Sequence, residues 1–121
     1  MKKNLCMAIS TYFLFSSFAF ANGDTLQDVC YQSMIYTIAV QVGGNPISDA
    51  AREINVTGAF SSGKWLGIDK ESTERMIKMS GLNEDSKKFA LQYQTNKSFA
   101  ESFRNSFIAG CHKNPSDYLM N

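Results

Sequence analysis

Cysteine has the strongest claim to covalent chemistry in this chain. Three are present: Cys6, Cys30 and Cys111. Cys6 falls inside an apolar N-terminal stretch that reads as a leader, which leaves Cys30 and Cys111 for the mature chain. Two cysteines in a small exported domain are expected to be bridged, because the compartment is oxidising, and only one pairing exists. A dithiol redox enzyme would want Cys-x-x-Cys, which the sequence lacks. Closing a loop of roughly 80 residues contributes about 4.5 kcal/mol in the chain-entropy picture. That is a large share of the roughly 5–15 kcal/mol by which such domains are stable.

The other residues able to do chemistry have structural readings. His112 is the only histidine, so a hydrolytic triad or a histidine-based metal site would have to be built around it. It follows Cys111, and a cation at a helix C-terminus is favoured by the helix dipole. Met76 and Met79 stand at i,i+3, a spacing that exported proteins use for Cu(I), but two methionines on a charged helix read as core filler. Among 11 acidic residues, Glu71, Glu74, Glu84 and Asp85 all have helix-terminus explanations, so no glycosidase-type carboxylate pair stands out. No catalytic, cofactor-binding or metal-binding residue is assigned, no cofactor is expected, and the chain reads as non-enzymatic.

Trp65 is the only tryptophan. It stands in a glycine-rich stretch, Val56 to Gly67, with neither a helical nor a strand period, which is read as a loop. A tryptophan there is either an interface anchor or a lid folded back over a small core. Phe60, earlier in the same stretch, is its natural companion. The candidate partner-binding residues are therefore Phe60, Lys64, Trp65 and Leu66.

The elements that must hold these residues begin after the leader. Lys2 and Lys3 precede an apolar run from Leu5 to Phe18, and Ala19-Phe20-Ala21 supplies an A-x-A cleavage motif. Residues 1–21 are expected to be a secretory signal peptide and 22–121 a single helical domain. Serine and threonine interrupt the run too often for a transmembrane anchor. Without Lys2 and Lys3, ten basic residues face 11 acidic ones, and no basic patch stands out. Nucleic acid and anionic membrane surfaces are poor partners for such a chain. No other segment could span a membrane, so no stable insertion is expected after leader removal.

Thr25 with Asp28 forms a capping box. It opens a helix from Leu26 to about Val42 that is apolar nearly all round and hence central and buried. Gly43-Gly44 would stop it in a left-handed turn. The run Ile35 to Val42 is rich in β-branched residues, so a strand is the competing reading there. Asn45-Pro46 is read as an N-cap with proline at the first helical position, opening a short helix from Ile47 to about Asn55. Asn55-Val56-Thr57 matches a glycosylation sequon, a chance match behind a bacterial-style leader. Asp69 caps a helix from Lys70 to Ser80, with Glu71–Arg75 and Glu74–Lys78 in the favourable i,i+4 order. Asn83 starts another. Near Thr95-Asn96 it either breaks, with Ser98 and Glu101 as a capping box for a new start, or continues bent to Cys111. Ala100, Phe103, Phe107 and Cys111 share one stripe, and Asn114-Pro115 ends the helix. The expected fold is all-α, a small bundle of four to five helices with one disulfide.

The C-terminal segment Phe107 to Leu119, FIAGCHKNPSDYL, resembles the Cys-x-Lys-Asn-Pro end of the Hde-type periplasmic acid-stress chaperones, the HdeA/HdeB group. That resemblance implies a small exported helical protein with one disulfide joining an early cysteine to a late one, and activity as a chaperone in acid. The stretch between the cysteines is markedly longer here than in that group. Below about pH 3 most carboxylates would protonate, leaving ten Lys/Arg and His112 positive around a tethered chain. The other class is a periplasmic inhibitor or immunity-type protein that plugs its target with a loop, for which Phe60 to Leu66 is the candidate. The sequence leans toward this specific-partner reading, because only it uses Trp65. Either way the expected protein is periplasmic or secreted and acts on another protein.

Overall fold

In the computed structural model of the chain, residues 25–119 are described and form six helices. These are α1 (Leu26–Gly44), α2 (Asp49–Leu66), α3 (Lys70–Gly81), α4 (Glu84–Thr95), α5 (Lys97–Lys113) and a single turn, α6 (Pro115–Tyr118). No strand is present among the described residues. The fold is a small all-α bundle. The expected leader, residues 1–21, with its A-x-A motif and Cys6, lies outside the described residues.

α1 is the central element and packs against all five others. Its N-terminus carries the expected capping box. The Thr25 hydroxyl accepts from the Asp28 N–H at 3.0 Å, and an Asp28 carboxylate oxygen accepts from the Thr25 N–H at 3.1 Å. Two separate stripes of α1 are buried. Cys30, Met34, Ile38 and Val42 face α4 and α5, with Ala90, Phe107 and Cys111 completing the cluster. Tyr36, Ala39 and Val40 face α2 and α3 around Ala59. A helix buried on two sides has no polar stripe to lose, so the β-branched run Ile35 to Val42 stays helical. Tertiary packing overrides its strand propensity.

The Cys30–Cys111 bridge is present, with S–S 2.02 Å and Cα–Cα 5.9 Å, and both cysteines are fully buried. It ties the first turns of α1 to the last turns of α5. Beside it α5 lays its aromatic stripe against α4: Phe89 and Phe103 meet edge to face at 4.7 Å, and Phe103 and Phe107 stand 6.0 Å apart. α6 turns back so that the Tyr118 ring meets Phe107 at 5.0 Å and covers Gly110, where a β-carbon would strike the Tyr118 ring and hydroxyl. Gly110 is thus a landing site for the tail.

Four sequence expectations are corrected. Val56–Gly67 is not a loop: α2 runs unbroken to Leu66, and Gly67, at φ +83°, is the actual left-handed stop. Gly63 is helical because the helix must pass close to its neighbours there. A β-carbon would sit 2.8 Å from Thr73 Oγ1 and 3.0 Å from the Tyr36 ring. Gly43 and Gly44 likewise belong to α1, and Gly44 lies against the Ile77 carbonyl and Ser80 of α3. Asn45 does not cap α2. Its Nδ2 donates to the carbonyls of Ser80 (2.8 Å) and Gln41 (3.3 Å), joining α1 to α3, and the α2 cap is Ser48, whose hydroxyl accepts from Ala51 N–H at 3.1 Å. Finally, α4 and α5 do break at Asn96, but Asn96 itself caps α5 by accepting from Phe99 N–H at 3.0 Å. Ser98 is already inside the helix, and the Ala100 N–H that it would have capped donates to the Asn96 carbonyl at 3.0 Å.

Candidate protein-binding surfaces

Two surfaces among the described residues are candidates for binding. The first is an open groove of about 300 Å³ where α3 and the start of α4 lie across α1. Tyr36, Val40, Met76, Met79, Asn83 and Ser86 are among its lining residues, and no charged side chain lines it. Its floor is held by hydrogen bonds between helices. The buried Tyr36 hydroxyl donates to Thr73 Oγ1 at 3.2 Å, and Thr73 Oγ1 in turn donates to the Asp69 carbonyl at 3.1 Å. Ser80 Oγ lies 3.0 Å from the Val40 carbonyl and 2.8 Å from that of Ile77. The capped N-terminus of α3 fixes the helix angle. Asp69 accepts from Ser72 N–H at 2.6 Å, and the backbone and hydroxyl of Ser72 hold the Asp69 carboxyl below its usual range. Met76 and Met79, expected in the core, instead form the outer lip of the groove, with Met79 63% exposed and Leu82, one turn on, 77% exposed. Their i,i+3 spacing was the signal. What the sequence did not reveal is that Thr73, Ile77, Ser80 and Gly81, and not the methionines, are the α3 residues set closest against α1.

The second surface is α2. Trp65 is 42% exposed in its last turn, and Lys64 is exposed beside it. Leu66, in contrast, packs against the Tyr36/Ala39 cluster, and half-buried Phe60 carries the Lys70 ammonium 5.3 Å from its ring centroid. Five residues apart on a helix, Phe60 and Trp65 point about 140° from one another. The structure therefore separates the four residues expected to form one plug: Trp65 and Lys64 are outward, Leu66 is core, and Phe60 lies on the flank.

At the opposite end, Arg104 Nη1 donates to the Tyr93 hydroxyl at 2.8 Å, which raises the guanidinium pKa above its usual value. His112 is exposed in the last turn of α5. Among the described residues, no group of three or more His, Cys, Asp or Glu side chains is placed to hold a metal ion. No described helix is long and apolar enough to cross a membrane.

Neither a family model, nor a curated protein, nor a solved structure matches the chain.

Proposed function

We propose that this chain is a small exported, non-enzymatic protein that works by binding one partner protein, in the manner of a periplasmic inhibitor or immunity protein. One observation supports the reading: the uncharged groove over α1, with Met76 and Met79 standing exposed at its lip and a hydrogen-bonded floor beneath. Thioether side chains on a fixed frame adapt to a partner's contours while the frame loses little entropy on association. A helical surface replaces the plugging loop that the sequence suggested. The test is affinity purification from an exported-protein extract with the oxidised chain at pH 7 and at pH 3. A single stoichiometric partner at pH 7 supports this reading. A heterogeneous set captured only at pH 3 would replace it with the acid-stress chaperone, and no capture at either pH would remove both.

A further inference from the structure

The outward face of α2 has a pattern that the groove does not share. Taking about 100° per residue, Ala50, Ile54, Thr57, Ser61 and Trp65 fall within about 80° of one another. All five are exposed, Ile54 at 72% and Trp65 at 42%. This stripe carries no charge. On one edge of it, and on that edge only, stand Glu53 near the N-terminal end and Lys64 near the C-terminal end, both exposed. The ion pairs found among the described residues are Glu71–Arg75 and Glu84–Lys87, and neither includes Glu53 or Lys64.

This order is self-complementary. A two-fold axis perpendicular to α2, passing midway between Glu53 and Lys64, lays a second α2 antiparallel on the first and keeps the same edge on the same side. Glu53 of each copy then faces Lys64 of the other. With a rise of about 1.5 Å per residue, Trp65 of each copy falls between Ala50 and Ile54 of the other, a ring seated between side chains one turn apart. Thr57 and Ser61 meet at the centre, where small side chains allow two helices to approach closely. A parallel two-fold arrangement would instead put the Glu53/Lys64 edges of the two copies on opposite sides of the contact and leave both residues unpaired. We infer that the α2 face is a homodimer interface, with a second copy of this chain packed antiparallel on it through Ile54 and Trp65 and held in register by two Glu53–Lys64 pairs. The inference rests on α2 alone and stands or falls independently of the groove. One helix from each copy makes a small interface, below about 1,200 Å² in total, so the dimer is expected to be weak and concentration-dependent.

Sedimentation equilibrium of the oxidised chain from about 10 to about 500 µM tests it, a range chosen to bracket a weak interface. The wild type is expected to pass from one chain mass toward two. Ile54→Glu and Trp65→Glu, both at exposed positions, should hold the mass at one chain with unchanged helical circular dichroism. Glu53→Lys and Lys64→Glu singly should each weaken association about tenfold, since each creates two like-charge contacts. The double exchange Glu53→Lys/Lys64→Glu should recover to within about threefold of wild type, because it restores both pairs. A one-chain mass throughout, a dimer indifferent to Ile54→Glu, or a double exchange as weak as the singles would each overturn the inference.

Discussion

The two sides of α1 are built from different materials. Toward α4 and α5 the packing consists of the buried disulfide, Met34, Ile38 and a file of rings running Phe89, Phe103, Phe107 and Tyr118. Toward α2 and α3, Tyr36, Ala39, Val40 and Ala59 pack with the partly buried Leu66, Ile68 and Ile77, and Gly44, Gly63 and Ser80 let the helices approach closely, tied by the Tyr36–Thr73 and Asn45–Ser80 hydrogen bonds. The ring side derives its stability from buried apolar area and a cross-link, which tolerate some inexactness of position. The small-residue side depends on close backbone approach, where a single extra methyl has nowhere to go. The difference also bears on function: the candidate groove and the exposed α2 stripe both lie on the small-residue side, where helices pack closely and large apolar side chains are left over for the surface.

Substitutions should separate the two sides in a definite order. The largest effect is expected from removing the bridge. Cys30→Ser/Cys111→Ser should lower the unfolding free energy by about 4.5 kcal/mol in urea titration, leaving little folded chain at moderate temperature. Phe107→Ala, also on the ring side, should remove about 3–4 kcal/mol by opening a cavity beside the sulfurs. Across α1 the telling change adds volume. Gly44→Ala would drive a methyl into the Ile77 carbonyl and should destabilise by about 2 kcal/mol, the better helix propensity of alanine offsetting only about 1 kcal/mol. Tyr36→Phe should cost about 1 kcal/mol, because Thr73 keeps its bond to the Asp69 carbonyl when the phenol is gone.

The smallest effect concerns acid. Asp69 is ionised more readily in the fold than in the open chain, its pKa lowered from the ordinary 3.8 by the Ser72 backbone and hydroxyl. Its contribution is therefore fully present above that value and is lost as pH falls through the lower, folded one. Asp69→Asn keeps a capping oxygen at every pH. It should flatten the decline in stability measured by urea titration between pH 5 and pH 2.5.

Helix ends were legible in the sequence where a cap is local chemistry. Thr25/Asp28, Asp69 and Asn83 each bond a backbone N–H three residues on, and that spacing can be read without knowing the fold. The bridge was legible because two cysteines admit one pairing. α2 was not, because Gly58 and Gly63 look like helix breakers unless one knows that Tyr36, Thr73 and Ala39 lie against them. Asn45-Pro46 misled for the same reason, since the partner of Asn45 is Ser80, far along the chain. Trp65 admits two readings in the sequence, an interface anchor or a lid over the core; it is 42% exposed, and the face it shares is visible only once its segment is helical. Met76 and Met79 read as core filler but lie outward, because α3 turns Thr73, Ile77 and Ser80 toward α1, two of them polar residues that no apolar pattern marks.

Partner capture through the groove is tested most directly by comparing wild type with Met76→Glu/Met79→Glu at pH 7, with the disulfide intact and the helical signal unchanged in both. Placing two charges on the lip of a surface that has none should reduce recovery of the captured partner more than tenfold, a loss on the scale of burying unpaired charge. Equal recovery by the two proteins would contradict the account and move the binding surface elsewhere on the molecule.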